Sequence, residues 1–166
     1  MPDVRGALQR AFSYLSEHPD EARATDGVAT ATLEQGLRMH VVGPGGATVT
    51  TDMPASVGGT DSGPSPGWLF RAALAACEAS LIAMEAARQE VELSSLSVTV
   101  DSESDDRGIL GIDPAVPAGP LSVRVRVEAS GSDGLAAVIG TAIERCPVHD
   151  AVARAVPISV ELDSGG

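Results

Sequence analysis

The chain has few aromatic side chains, few cations and only two cysteines. Two Phe, one Trp and one Tyr make up 2% of its 166 residues, so an apolar core has to be built from Ala, Val, Leu and Ile. Lys and Arg total 11 against 23 Asp and Glu, which gives a formal net charge of −12. Because such a surface repels phosphate groups, we expect neither nucleic acid nor an anionic membrane as a partner.

Other absences narrow the class of protein further. No uninterrupted apolar run reaches the ~18 residues of a membrane span, and residues 1–6 lack the apolar segment of a secretory signal. Two cysteines in such a chain are typical of reduced thiols in the cytoplasm rather than of a structural disulfide. With no close pair among the cysteines and the three histidines, and with no phosphate-binding glycine loop, we expect neither a metal nor a cofactor.

The most informative stretch runs from Gly58 to Cys77 and reads GGTDSGPSPGWLFRAALAAC. It passes from a glycine-rich loop into an apolar segment, with Ser65 suited to cap a helix and Pro66 suited to its first position. Beyond the first turn the segment is rich in Ala, Leu and Met and holds no Gly or Pro. A helix that is apolar nearly all round is a buried one, so the sequence predicts a central helix over residues 66–89.

Hydrophobic periodicity predicts the remaining elements. Helical spacing predicts an amphipathic helix over residues 3–17, followed by a polar linker over 19–26. Alternating apolar residues predict strands, and two more apolar segments predict helices. The predicted strands are 28–33, 37–42, 47–51, 96–101, 121–128 and 158–162, the later helices are 134–145 and 150–155, and 102–120 is an exposed loop.

The order of these elements indicates an α+β fold, because strands follow one another instead of alternating with helices. Residues 1–24 are expected to form a peripheral helix with its linker, and residues 25–166 the main domain. The small Ala side chains along residues 66–89 would let two such helices approach closely. Since the central helix is too apolar for one sheet to cover, we expect a homodimer.

A second motif lies far downstream, where Cys146 begins the sequence Cys-Pro-Val-His. The Gly-Gly-x-Asp-x-Gly-Pro-Ser-Pro loop, the Ala-Ala-Cys of the following helix and the distant Cys-Pro-Val together resemble the OsmC/Ohr family. The resemblance covers residues 28–162. It implies an OsmC-like fold, in which antiparallel sheets wrap around the central apolar helices of an intertwined homodimer.

The resemblance also implies a reaction, because the family contains thiol-dependent hydroperoxide reductases. Cys77 would reduce an organic hydroperoxide and become a sulfenic acid, and Cys146 would condense with it to a disulfide that a dithiol then reduces. A thiolate in an apolar pocket needs a nearby cation. Arg71 lies about 120° around the helix from Cys77, so we expect Arg38, in the second strand, to be that cation.

One position departs from the family pattern. Peroxidase members carry a Glu directly after the loop proline, where it holds the arginine, and this chain has Gly67 there. The carboxylates left to hold the arginine are Glu34, Asp61 and Glu78. This departure keeps an alternative open, in which an OsmC-fold homodimer without peroxidase activity binds a small apolar molecule in an interface pocket.

Three residues have more than one interpretation. Arg38 would also suit an exposed position on its strand. Cys77, on one helical face with Leu74, Leu81 and Met84, could be a small buried core residue, since free cysteine is among the most buried residue types. His149 follows Cys146 by one turn and is a candidate proton acceptor for that thiol, but it would also suit an exposed helix start.

Overall fold

The chain folds into five helices and five strands within residues 3–162, the part that the computed structural model describes. Two antiparallel sheets and a long central helix make up this mixed fold. In chain order the elements are α1 Val4–Glu17, β1 Thr30–Gln35, β2 Arg38–Val42, β3 Thr48–Thr51, α2 Pro66–Gln89, β4 Leu93–Glu103, α3 Asp106–Ile109, β5 Ser122–Gly131, α4 Leu135–Glu144 and α5 Pro147–Ala153.

The central helix α2 begins and ends as its sequence predicts. The Ser65 hydroxyl accepts a hydrogen bond from the Trp68 amide at 3.2 Å, and Pro66 occupies the first helical position. Leu74, Ile82 and Ala86 are buried where α2 packs against β4 and α4. By length and composition α2 would also suffice to cross a membrane, a property that it shares with the core helices of soluble proteins.

The two sheets differ in how they meet this helix. Strands β1, β2 and β3 form an antiparallel sheet in that order, with His40 paired to Thr50 across β2 and β3. That sheet makes no substantial contact with α2. Strands β4 and β5 form a second antiparallel ladder, and β4 packs on α2. The alternation of apolar residues predicted for β5 is confirmed, because Val123, Val125 and Val127 are the less exposed side chains of that strand.

Several element boundaries differ from the sequence prediction; β1, for example, lies two residues later than predicted. α5 begins at Pro147 rather than residue 150, because proline suits the first turn of a helix and Cys146 takes the capping position. β4 starts three residues earlier than predicted and runs to Glu103. The predicted loop after it contains the helical turn α3, which Asp105 caps by accepting a hydrogen bond from the Arg107 amide.

The predicted last strand over residues 158–162 is wrong for the isolated chain. This segment joins no sheet, and its apolar side chains Ile158, Val160 and Leu162 are exposed by 89%, 77% and 90%. Alternation alone does not make a strand, because the backbone also needs a neighbouring edge with which to pair. Within residues 3–162 no such edge pairs with it.

The chain as a whole leaves an unusually large surface uncovered. Its accessible area is 11824 Å², whereas a folded monomer of this mass is expected to expose about 7,600 Å². Much of the excess lies on β1, whose residues are all exposed, and on the segment after α5. Apart from Asp52 in the loop after β3, the largest fully buried side chains gather around α2, α4 and the start of α5, so this region is the core.

Candidate active site

The two cysteines meet where α2 packs against α5. Cys77 lies in the middle of α2 and is partly exposed, while Cys146 caps α5 and is fully buried, and neither is in a disulfide. Burial raises the pKa of the Cys146 thiol, and the neighbouring Cys77 side chain raises it further. The amides of Val148 and His149 lie near the sulfur and oppose this effect without closing a capping hydrogen bond.

The raised pKa of Cys146 sets a chemical requirement. A thiol whose pKa lies above its ordinary value is protonated at neutral pH, and only the thiolate attacks sulfur. If Cys146 is to form a disulfide, a neighbouring group has to remove its proton. Desolvation is the main cause of the shift, so that group has to reach into a sealed part of the molecule.

A buried carboxylate lies directly beside the cysteines. Glu78, the residue after Cys77, is fully buried, and its Oε1 lies 2.8 Å from Nδ1 of His149 on α5. Its Oε2 accepts no hydrogen bond from any described residue. The sequence had suggested Glu78 as a holder for an arginine, so its pairing with His149 was missed, although both residues adjoin the cysteine motifs.

Arg38 lies away from the cysteines of its own chain. Its Nε donates to Oε2 of Glu34 at 2.8 Å, and both side chains are partly exposed. Its strand, β2, belongs to the sheet that does not pack on α2. Of the carboxylates considered from sequence, Glu34 therefore holds this arginine, while Asp61 accepts a hydrogen bond from the Ala55 amide at 3.2 Å.

Gly67 and Arg71 face a different part of the molecule. Nη1 of Arg71 donates to the Ser102 hydroxyl at 3.1 Å, on β4. Gly67 and Arg71 line a cavity of about 300 Å³ together with residues of the α3 region. A Cβ at Gly67 would lie 3.8 Å from Nη1 of Arg71, so a carboxylate placed there would meet Arg71 and not Arg38.

The glycine-rich motif organises a loop around Asp52, a residue that sequence reasoning missed. This buried carboxylate accepts hydrogen bonds from the amide and hydroxyl of both Thr60 and Ser62, and from the Met53 amide. Those donors hold the pKa of Asp52 far below its usual range. A Cβ at Gly59 would come within 1.7 Å of the Met53 carbonyl oxygen, so only glycine fits there.

A small apolar cavity adjoins the cysteine region. It has a volume of about 170 Å³ and is lined by Leu74, Val123, Val125, His149, Val152 and Ala153. His149, the only titratable group in this lining, has a side chain 41% exposed. Among residues 3–162, no three His, Cys, Asp or Glu side chains converge as metal ligands would.

The match to a family model and the matches to solved structures agree with each other. The family model described as OsmC-like protein matches residues 59–161. No curated protein matches the chain at a significant level. Among solved structures, an organic hydroperoxide resistance protein OsmC from Legionella pneumophila is 25% identical with a TM-score of 0.60, and the match covers 78% of this chain and 90% of that one.

Two further structures support the same fold at lower identity. An OsmC-like protein from Mycoplasma pneumoniae is 19% identical with a TM-score of 0.65, and covers 79% of this chain and 89% of its own. An organic hydroperoxide resistance protein from Elizabethkingia anophelis is 22% identical with a TM-score of 0.62, with coverages of 78% and 89%. The motif loop from Gly59 onward, the central helix and both cysteines lie within the matched region, and the chain belongs to the family of OsmC-like proteins.

Proposed function

We propose that the protein is a thiol-dependent peroxidase that reduces organic hydroperoxides through Cys77 and Cys146. The observation that carries this proposal is the meeting of the two free thiols at the contact between α2 and α5. Cys77 is the more accessible of the two and is suited to meet the peroxide first. The similar protein from Legionella pneumophila is named an organic hydroperoxide resistance protein, which supports the same activity.

The proposed reaction proceeds in three balanced steps. The Cys77 thiolate attacks the outer peroxide oxygen, the O–O bond breaks, and the alkoxide takes a proton and leaves as an alcohol. Cys146 then displaces hydroxide from the Cys77 sulfenic acid, which forms the disulfide and releases water. A dithiol reductant restores both thiols by exchange. Dependence on such a reductant is our reason to propose a cytoplasmic location.

The proposed active form is a homodimer, because the isolated chain is incomplete in two ways. It exposes the apolar side chains of residues 158–162 and both faces of β1. Within one chain, Arg38 is also not beside Cys77. A second copy could cover the exposed segments and bring its own Arg38 to the thiol, where the cation would favour the thiolate.

The second candidate function is binding without peroxidase activity. Gly67, in place of the carboxylate that peroxidase members carry, favours it. The apolar cavity of about 170 Å³ beside His149 would then take a small apolar ligand. The two candidates differ in what happens to the thiols, because a binding protein keeps both of them free.

Thiol counting separates the two functions. Reduced protein is treated with one equivalent of cumene hydroperoxide, and free thiols and intact mass are measured. We expect the loss of two thiols and two hydrogens per chain, a sulfenic acid trapped by dimedone in Cys146→Ser, and no peroxide consumption by Cys77→Ser. Retention of both thiols in the wild type would reject the peroxidase in favour of the binding function.

A further inference from the structure

Glu78 is a fully buried carboxylate that takes no part in the three proposed peroxidase steps. It follows Cys77 directly on α2, and its Oε1 lies 2.8 Å from His149 Nδ1. Its Oε2 meets no donor within residues 3–162. Burial of a carboxylate with one unpartnered oxygen opposes folding, because the group loses its hydration. Another interaction therefore has to compensate for that loss.

The compensation is the hydrogen bond between Glu78 Oε1 and His149 Nδ1 at 2.8 Å. When the Nδ1–H of His149 is bonded to the carboxylate, Nε2 keeps a free lone pair, so the ring can accept a proton there. In this respect the pair resembles the base and orienting carboxylate of nucleophilic active sites, where a carboxylate fixes the imidazole.

The position of the pair links it to both thiols. Glu78 adjoins Cys77, and His149 stands at the third position of the helix that Cys146 caps. The backbone amide of His149 lies near the Cys146 sulfur, as the third-position amide lies near the capping side chain in a capping box. Cys146 is sealed from solvent, whereas His149 is partly exposed and lines the apolar cavity, so His149 can connect the buried sulfur with water.

We infer that His149, held in place by Glu78, takes the proton of Cys146 when the disulfide closes and passes a proton from the incoming dithiol to the Cys146 sulfur when the disulfide is reduced. In the closing step the S–OH bond of Cys77 breaks and the S–S bond forms. The Cys146 proton passes to His149, and the departing hydroxide takes a proton from the pair and leaves as water. Glu78 is a positioning residue, and the inference rests on the proposed function for its peroxide step.

The experiment measures closure of the disulfide apart from the reaction with peroxide. Protein oxidised with one equivalent of cumene hydroperoxide is quenched with dimedone at successive times, and mass spectrometry gives the ratio of Cys77 sulfenic acid to disulfide. The variants are His149→Asn and Glu78→Gln. An asparagine amide can keep the hydrogen bond to Glu78 but accepts no proton, and a glutamine keeps the bond but loses the charge.

We expect closure to slow at least tenfold in His149→Asn, in line with the ~10²–10⁴-fold contribution of general bases. Glu78→Gln should slow it by a smaller factor. Asp150→Asn, on the exposed side of the same helix, is the matched control and should close at the wild-type rate. Equal closure rates in wild type and His149→Asn would overturn the inference, and if that variant does not fold, an unchanged rate in Glu78→Gln would do so.

Chemical rescue by imidazole distinguishes a role of His149 in proton transfer from a purely structural role. In His149→Ala, imidazole in the buffer should restore closure in proportion to its concentration, because the deletion enlarges a cavity already present at that position. Slow closure that imidazole leaves unchanged would mean that His149 only holds α5 against α2.

A second oxidant distinguishes failure of this inference from failure of the proposed function. Diamide takes up the two thiol hydrogens, becomes the hydrazine and leaves the disulfide without any peroxide. If the wild type gives no sulfenic acid with hydroperoxide, the peroxidase is rejected, and the same variants are compared with diamide. Slower closure in His149→Asn would then still support the inference, and equal rates would overturn it.

Discussion

The pKa values of two buried side chains are shifted in opposite directions, because the groups that surround the two side chains differ. Asp52 meets five hydrogen-bond donors, which lower its pKa although burial alone would raise it. Cys146 meets only two amides and a neighbouring thiol, so burial decides and its pKa rises. Asp52 is therefore ionised and organises its loop through hydrogen bonds. Cys146 is a protonated thiol, which would need a base in order to react.

Asp52→Asn should destabilise the protein by about 1–3 kcal/mol, since an amide cannot satisfy all the donors around it. Because the folded-state pKa is lowered, the stabilisation is complete above the unfolded value of ~3.9 and is lost as the pH falls below it. Urea unfolding at several pH values should show the two proteins converging in acid. Asp61→Asn, which loses at most one exposed contact, should have a smaller effect, and a constant difference at all pH values would contradict the assignment.

Among the elements, α1 and α2 contribute very differently to the fold. α2 provides buried residues along its length, whereas α1 has none, although it lies against α2 and its Arg5 pairs with Glu90. Exposed ion pairs of this kind contribute little to stability. The amphipathic pattern that predicted α1 therefore marks a helix that covers the surface of the core without being part of it.

Deletion of residues 1–18 should leave a folded protein. We expect its melting temperature to fall by only a few degrees, about what a loss of ~1 kcal/mol produces in a domain of this size. Circular dichroism and thermal unfolding of the shortened chain measure this. Loss of cooperative unfolding would instead make α1 part of the core.

At the scale of the whole molecule, the most prominent feature is the large accessible surface of segments that no other part of the chain covers. An apolar segment that alternates and remains exposed in one chain is an open template for pairing with another chain. Residues 158–162 and β1 both have this character. The sequence predicted a strand at 158–162, and the prediction fails for the single chain because no strand edge within residues 3–162 pairs with this segment.

We expect a dimer at micromolar concentration by light scattering. Val160→Asp should weaken or abolish it, because a charge would enter the proposed interface. Phe12→Asp is the control, since Phe12 is exposed by 76%, about as much as Val160 at 77%, but lies on the peripheral α1. A wild-type monomer, or equal dimerisation of Val160→Asp, would contradict this assembly.

The sequence by itself determined the local structure of this protein. Ser65 and Pro66 start α2, alternation marks β5, and Pro147 starts α5, because caps, ring constraints and periodicity act over a few residues. The motif loop also predicted the family, and its Gly59 is required where the backbone passes the Met53 carbonyl.

Only the tertiary structure decided which distant residues meet. Glu78 could have held an arginine from sequence alone, but the packing of α5 on α2 gives it His149 instead. Arg38 could have stood beside Cys77, but its sheet does not pack on that helix, and Glu34 holds it. Contacts between residues far apart in the chain depend on how whole elements pack, and local propensity carries no information about that.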